Sequence, residues 1–192
     1  DVALQNLHVV FCLDRAGLVG EDGATHHGAF DLAYLNSIPN MTIAAPLDEI
    51  ELRNLMYSAQ FHEGPYTIRY PRLNGQYETW ELPFERIPTG KGRKLRDGQD
   101  IALITIGHVG NAARRACETL DAQGIHAALY DIRFLKPLDT ELLHEALSRY
   151  KTIITVEDGC ITGGLGSNIA AFIAEHGYTA KLIRLGIPDH FV

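Results

Sequence analysis

The sequence lacks the features that are typical of membrane, nucleic-acid-binding and structural zinc proteins. No apolar run is long enough to span a bilayer, and no basic run stands out in a chain whose formal net charge is −7. These absences argue against a membrane or a nucleic acid as a partner. The three cysteines, Cys12, Cys117 and Cys160, have no metal-ligand spacing. They predict reduced thiols and a cytoplasmic location.

What the chain does contain is an alternation of apolar strands with amphipathic helices. Its 192 residues are 46% hydrophobic and 21% charged, which is ordinary for a globular protein with a sizeable core. We predict strands at 7–13, 41–45, 66–70, 101–106, 126–132, 152–156 and 181–185. We predict helices at 30–35, from 46 onward, and at 110–122, 140–149 and 165–176. This order favours a mostly parallel sheet that is covered on both faces.

Two of the helices carry a predicted buried face at helical spacing. The first face comprises Leu52, Leu55, Met56 and Ala59, and the second comprises Ala113, Ala116, Cys117 and Leu120. Asp48 and Glu51 have the spacing of a capping box at the start of the first helix, although the box normally begins with Ser or Thr. Lys136 to Asp139 and Glu157-Asp158-Gly159 are expected to form loops or turns.

The organisation of the chain is interrupted between residues 73 and 96, where prolines and glycines replace any helical period. We therefore expect two packing units, 1–76 and 93–192, with 77–92 as linker and with Tyr77 and Trp80 anchoring it to a domain surface. The chain begins with what looks like the end of a helix and stops directly after a strand. We expect it to be an internal fragment of a larger protein.

The most informative stretch is the glycine loop, residues 14–30, which follows the first predicted strand. Glycines at 17, 20, 23 and 28 allow close backbone approach to a ligand. The loop also carries charged and imidazole side chains, namely Arg15, Glu21, Asp22, His26 and His27. This combination suggests a site for a small anionic substrate. A polar surface loop whose side chains satisfy local backbone groups is the alternative.

The order of motifs along the chain resembles the thiamine-diphosphate-dependent transketolase superfamily. The glycine loop reads DRAGLVGEDGATHHGAFD and is followed by TIRYPR at 67–72, DIRFLKPLD at 131–139, VEDG at 156–159 and GGLGS at 163–167. Each motif alone is weak, but together and in this order they are specific and cover essentially the whole chain. The likeness is strongest to those members that condense pyruvate with D-glyceraldehyde 3-phosphate.

The resemblance implies a fold and a reaction. The fold is α/β, with a partial pyrimidine-binding-type domain followed by a transketolase C-terminal-type three-layer α/β/α domain with a mostly parallel sheet. The reaction releases carbon dioxide and gives a five-carbon deoxysugar phosphate, a precursor of isoprenoids, thiamine and pyridoxal. A homodimer and the N-terminal portion of the same enzyme are the implied partners.

The resemblance also assigns residues. Arg72 matches the last arginine of the family's RYPR motif, so Arg72 and Arg15 are expected to clamp the substrate phosphate. His26 matches the motif histidine and is expected to act as the catalytic donor near the aldehyde oxygen. Asp22 is expected to bind substrate and assist catalysis. His27 falls at a variable position and should face solvent, and Arg69 should be structural. The VEDG and GGLGS segments are also expected to be structural.

The implied cofactors are thiamine diphosphate and magnesium, and no cofactor or metal ligand is predicted within this sequence. The family's GDG…N segment and the first half of its pyrimidine-binding domain are not found here. We expect both cofactors to be bound mainly by those portions, so that the chain alone should be inactive. A transketolase, a 2-oxo acid dehydrogenase β subunit and a non-catalytic scaffold derived from the fold are the alternatives.

Overall fold

The computed structural model describes residues 1–79 and 81–192 and contains two sheets. The first sheet has four strands, and three of them run parallel. Their order across the sheet is β1 (Val10–Leu13), β3 (Tyr66–Arg69), β2 (Thr42–Ala44) and β7 (Phe134–Lys136). The fourth strand, β7, runs antiparallel to β2 although it comes from the second half of the chain. The two halves therefore share this sheet.

The second sheet has five strands and lies entirely in the second half of the chain. Their order is β4 (Arg93–Arg96), β6 (Ala127–Asp131), β5 (Ile101–Thr105), β8 (Thr152–Cys160) and β9 (Lys181–Ile187). Only β4 at one edge is antiparallel to its neighbour. The predicted α/β architecture with mostly parallel sheets is confirmed.

In residues 1–79 and 81–192, five α-helices connect the strands, and they follow the predicted positions closely. They are α1 (Asp31–Asn36), α2 (Glu49–Ala59), α3 (Val109–Asp121), α4 (Thr140–Arg149) and α5 (Leu165–Glu175). In the part of the chain that the structure describes, no helix is long and apolar enough to cross a membrane. Asp48 caps α2 by accepting from Glu51 N at 2.8 Å, as its spacing predicts. The reciprocal half of the box differs, because the Glu51 carboxylate accepts from Leu47 N.

The largest apolar cluster of the core draws on both halves of the chain. Leu32 and Ile43 from the first half pack in the same cluster as Ile104, Leu147 and Ile169 from the second. Burial on this scale is the main source of the folding free energy. The division into units at 1–76, 77–92 and 93–192 stays a prediction.

The first predicted strand is shorter and more exposed than expected. Residues 7–9 lie outside β1, and alternate side chains of β1 are exposed. The reason is position, because β1 pairs with β3 alone and forms the edge of its sheet among the described residues. An apolar run of strand length cannot distinguish an edge strand from a central one.

Three segments that we expected to be irregular are strands. Arg93–Arg96 is β4, Phe134–Lys136 is β7, and β8 continues through Glu157 and Asp158 instead of ending in a turn at 156. Each is fixed by pairing with a strand distant in sequence, which the local pattern cannot reveal. Residues 1–5 form a hydrogen-bonded turn, not a helix end.

The predicted buried faces were partly wrong. Met56 is 47% exposed and Ala116 is exposed, whereas Leu55, Ala59 and Cys117 are fully buried. The buried face of α2 instead includes polar side chains that bond the segment crossing the helix. The carboxamide oxygen of Asn54 accepts from Glu85 N, and Ser58 Oγ accepts from Ile87 N. Tyr77 is 43% exposed and its N–H bonds Glu49, while Trp80 lies outside the described residues.

The irregular segment after β3 should be the first site of proteolysis. Arg72 and Arg86 lie in it, while Arg114 and Arg115, which are also exposed, lie inside α3. Cleavage requires local unfolding of a helix but not of an irregular segment. Brief trypsin treatment followed by mass spectrometry should therefore give cuts after Arg72 or Arg86 first. Primary cuts after Arg114 or Arg115 would contradict the assignment.

Candidate functional site

Two arginines that are far apart in sequence meet at the carboxyl ends of adjacent parallel strands. Arg15 follows β1 and Arg72 follows β3, so the topology brings them to one edge of the sheet. Both contact the carboxylate of Asp22, Arg15 through Nε at 2.7 Å and Arg72 through a guanidinium nitrogen at 2.6 Å. Arg15 and Arg72, which were expected to converge on one anion, therefore lie together in the structure and meet on Asp22. Their role in binding phosphate stays a prediction.

The charges in this cluster hold one another ionised. Hydrogen bonds from Arg72 and then from Arg15 lower the pKa of Asp22 to about 2, below its ordinary 3.8. The same bonds raise the pKa of both arginines. Asp22 therefore stays anionic at neutral pH. Asp14 Oδ2 also lies 3.0 Å from Arg15, so two carboxylates balance the two guanidiniums of this cluster.

A cleft of about 270 Å³ opens beside this cluster. It is lined by Leu18, Val19, Gly20, Glu21, Arg72 and Leu73. The side chains of Arg15 and Arg72 are 34% and 50% exposed, so each has donors that face solvent. An anion entering the cleft would meet the donors of Arg72, whereas Arg15 is not among the lining residues.

The backbone of the glycine loop is held in a close approach that requires glycine. The two ends of the loop pair through Gly28 N to Arg15 O at 2.9 Å and Gly17 N to Gly28 O at 3.2 Å. A Cβ at Gly28 would lie 2.3 Å from Arg15 O, so no other residue fits there. Arg15 itself has φ 62°, a left-handed conformation that non-glycine residues seldom adopt. Such strain is commonly found at functional sites.

The two histidines of the loop have different surroundings. His26 is exposed on a short 3₁₀ helix, Ala24–His26, and its Nδ1 lies 3.0 Å from Thr25 Oγ1. The prediction that His27 faces solvent was wrong. His27 is half-buried, and its Nδ1 accepts a hydrogen bond from Val19 N at 2.9 Å. It closes the loop upon itself, a role that a sequence pattern does not reveal.

Arg69 is buried beneath the glycine loop and bonds its backbone, which agrees with the structural role predicted for it. Its side chain is 1% exposed. It donates to Asp158 Oδ1 and to Gly28 O, each at 2.5 Å, and its Nε lies 3.5 Å from Asp31 Oδ2. A buried guanidinium is tolerated only when carboxylates and carbonyls surround it in this way.

Asp158 was not predicted to lie near the site, yet it contacts it from the second half of the chain. Its Oδ2 lies 3.1 Å from His108 Nδ1. Burial opposes ionisation of Asp158, but Arg69 and His108 outweigh that effect and lower its pKa to about 2. The available signal was its place near the carboxyl end of a parallel strand, where ligand sites gather in α/β folds.

The neighbouring Glu157 has the structural role expected of the VEDG segment. Its two carboxylate oxygens accept from Leu165 N and Gly166 N at 2.8 Å each, which satisfies the first turn of α5. A Cβ at Gly164 would lie 2.0 Å from Glu157 Oε2, which explains why the second residue of the GGLGS segment is glycine. Burial raises the pKa of Glu157.

A second buried ionic cluster was missed altogether. Arg133 Nε lies 2.6 Å from Glu51 Oε1, and Arg93 bridges Glu51 and Asp131 at 3.0 and 3.1 Å. Burial and then the charge of Glu51 raise the pKa of Asp131. The cluster joins α2 to the second half of the chain. We regard it as structural.

The described residues contain no cluster that fits a resident metal ion. Among residues 1–79 and 81–192, no group of three or more His, Cys, Asp or Glu side chains could hold a metal ion. The expectation that no cofactor or metal ligand lies within this sequence stays a prediction.

The ion pair of Asp158 should make stability depend on acidity. Because its pKa is lowered in the folded chain, ionised Asp158 stabilises the fold above about pH 4, and this contribution is lost as the pH falls toward about 2. The shift corresponds to roughly 2 kcal/mol. Urea denaturation of wild type and Asp158→Asn should show a difference in unfolding free energy that shrinks between pH 5 and pH 3. A difference that is constant over this range would contradict the assignment.

Comparison with known proteins gives one consistent result. The transketolase pyrimidine binding domain matches residues 1–77, and the transketolase C-terminal domain matches residues 90–192. Proteins named 1-deoxy-D-xylulose-5-phosphate synthase from Bacteroides fragilis and Bacteroides thetaiotaomicron are each 59% identical to the chain over all of its length. A protein of the same name from Chlorobaculum tepidum is 53% identical. The chain spans 30% of the length of these relatives.

A solved structure described as a split gene transketolase, inactive beta4 tetramer, has the same fold. It superposes with a TM-score of 0.87 and is 32% identical in sequence. The match covers 98% of this chain and 60% of that one.

Proposed function

The chain belongs to the transketolase family, and from this premise we propose that it supplies the phosphate-binding side of the active site of a 1-deoxy-D-xylulose-5-phosphate synthase. The whole enzyme would condense pyruvate with D-glyceraldehyde 3-phosphate and release carbon dioxide. The observation that carries the proposal is the meeting of Arg15 and Arg72 on one carboxylate, at 2.7 and 2.6 Å.

Two guanidiniums converging on one point suit a phosphate better than they suit a neutral sugar. Asp22 orients both side chains. Asp14 and Asp22 together balance the two positive charges, but Arg15 and Arg72 keep exposed N–H donors that can bond an anion. A phosphate carries three oxygens that accept such charge-assisted bonds. The strained φ of Arg15 supports a role beyond packing, since the fold maintains an unfavourable conformation there.

His26 would act at the other end of the same substrate, while Asp22 lies between the two arginines. Formation of the new carbon–carbon bond leaves negative charge on the former aldehyde oxygen, and a donor placed there lowers the barrier. We assign His26 as that donor, because it is exposed on the loop that carries Arg15. Asp22 would hold the arginines in position and accept from a substrate hydroxyl.

The remaining assignments of the proposal concern the whole enzyme. Thiamine diphosphate supplies the chemistry by which pyruvate loses carbon dioxide in this family. We propose that it is bound with magnesium mainly by segments outside these 192 residues. A homodimer and a cytoplasmic location complete the proposal, and its domain limits are 1–76, 77–92 and 93–192.

The test is product analysis of the full-length protein that contains this sequence. Supplied with thiamine diphosphate, magnesium, pyruvate and D-glyceraldehyde 3-phosphate, it should form carbon dioxide and 1-deoxy-D-xylulose 5-phosphate in equal amounts. Two-carbon transfer between sugar phosphates, without release of carbon dioxide, would identify a transketolase and overturn the proposal.

A further inference from the structure

We propose that Asp158 is a positioning residue for the phosphate site, acting through Arg69 on the glycine loop. The inference rests on the proposed function for the identity of the substrate. It assigns to the second half of the chain a direct part in shaping a site whose arginines all come from the first half. The contacts that carry it form a continuous path from Asp158 to Arg15.

The first step of the path is the buried pair between Asp158 and Arg69. The carboxylate of Asp158 meets the guanidinium at 2.5 Å, and the two side chains are 12% and 1% exposed. Arg69 lies at the end of β3, three residues before Arg72. Because this pair is dry, it fixes the direction of the guanidinium far more strictly than a surface pair would.

The second step is the bond from Arg69 to the loop backbone. Its other terminal nitrogen donates to Gly28 O at 2.5 Å, and the same oxygen accepts from Gly17 N at 3.2 Å. Gly28 N in turn donates to Arg15 O at 2.9 Å. One guanidinium therefore holds the point at which the two ends of the loop pair, directly beside the strained Arg15.

Asp158 also lies against the glycine loop at Gly17. A Cβ placed on Gly17 would lie 3.0 Å from Asp158 Oδ2, so the carboxylate forms the surface on which that turn of the loop rests. His108 and Arg69 are its side-chain neighbours, and Asp31 shares the Arg69 guanidinium at a longer 3.5 Å. Removing the charge of Asp158 would leave Asp31 as the remaining carboxylate on Arg69 among the described residues.

The consequence for function is specific to the phosphate. If the guanidinium of Arg69 turns, Gly28 O keeps only its bond from Gly17 N, and the paired segment at Arg15 is held less firmly. Arg15 then no longer points at the anion that Arg72 also binds, and a misplacement of about 1 Å in such a site is costly. Recognition of the acceptor phosphate should suffer more than the reaction of the aldehyde itself.

The experiment compares Asp158→Asn with Glu157→Gln in the full-length enzyme. Glu157 is the adjacent buried carboxylate of β8, but it bonds the start of α5 instead of the loop. The first readout is the ratio of kcat/KM for D-glyceraldehyde 3-phosphate to kcat/KM for glyceraldehyde. Asp158→Asn should lower this ratio by about 10-fold or more, and Glu157→Gln should leave it within about 2-fold. Asp158→Glu, which keeps the charge, should recover part of the loss.

The second readout is amide hydrogen exchange without any substrate. In Asp158→Asn, peptides covering 14–30 should exchange faster than in wild type, and those covering 163–168 should be unchanged. In Glu157→Gln, peptides covering 163–168 should exchange faster, and those covering 14–30 should be unchanged. This crossed pattern separates local positioning from general destabilisation. If both variants loosen both segments, or if both lower the ratio equally, the inference is wrong.

Each remaining outcome also decides the inference. If Asp158→Asn does not fold, Asp158→Glu carries the test, and unchanged exchange at 14–30 together with an unchanged ratio would overturn it. If wild type forms no condensation product, the proposed function fails, but amide exchange still decides whether Asp158 holds the loop.

Discussion

Replacing His26 with alanine in the full-length enzyme should lower kcat for the condensation by about 100-fold or more, which is the usual contribution of a positioned proton donor. The reason is that negative charge develops on the aldehyde oxygen only as the new bond forms. The release of carbon dioxide from pyruvate in the absence of acceptor does not involve that oxygen. It should therefore remain within about 3-fold of wild type.

The control for this variant is His126→Ala. His126 is also an exposed histidine with one side-chain partner, Asp121, but it lies in the second half of the chain beside α3. It should leave both rates unchanged. If His26→Ala lowers acceptor-free release of carbon dioxide as much as condensation, His26 serves the donor half of the reaction and our assignment is wrong.

Replacing Arg72 with alanine should lower kcat/KM for D-glyceraldehyde 3-phosphate by roughly 30-fold or more, equivalent to about 2 kcal/mol. Truncation removes one of two guanidiniums from the phosphate and also releases Asp22, whose carboxylate then competes for Arg15. Arg72→Lys should recover only part of the activity, because an ammonium lacks the planar fork that bonds two oxygens at once.

Glyceraldehyde without its phosphate is the informative control for Arg72. If Arg72 serves the phosphate, Arg72→Ala should lose little activity with this truncated acceptor. Equal losses with both acceptors would show that Arg72 supports the fold of the loop and does not recognise the phosphate.

The sequence was most informative where local pattern and topology agree. Arg15 and Arg72 each follow an apolar strand, and the rule that parallel strands end at one edge predicted that they would meet. The structure joins them through Asp22. The helices could also be predicted from local pattern. Apolar residues at helical spacing indicate a buried face, whichever part of the protein that face packs against.

What the sequence did not reveal depends on pairings across the chain. The strand Phe134–Lys136 exists because β2 offers it an edge, and no local period marks it. His27 seemed exposed because a loop histidine usually is, yet Val19 N lies within its reach. Asp158 looked like part of a turn until β9 extended β8 past it. In each case a tertiary contact overrides the local preference.

The most direct test of the account is a double-mutant cycle on Arg15 and Arg72 in the full-length enzyme, measured as the dissociation constant of inorganic phosphate. If both side chains bind one anion, each alanine variant should weaken phosphate binding by about 10-fold or more, and the double variant should be weakened by less than the product of the two, since the residues act as a unit. Losses that multiply independently, or binding that is unchanged in any of the variants, would contradict the clamp and with it the proposed function.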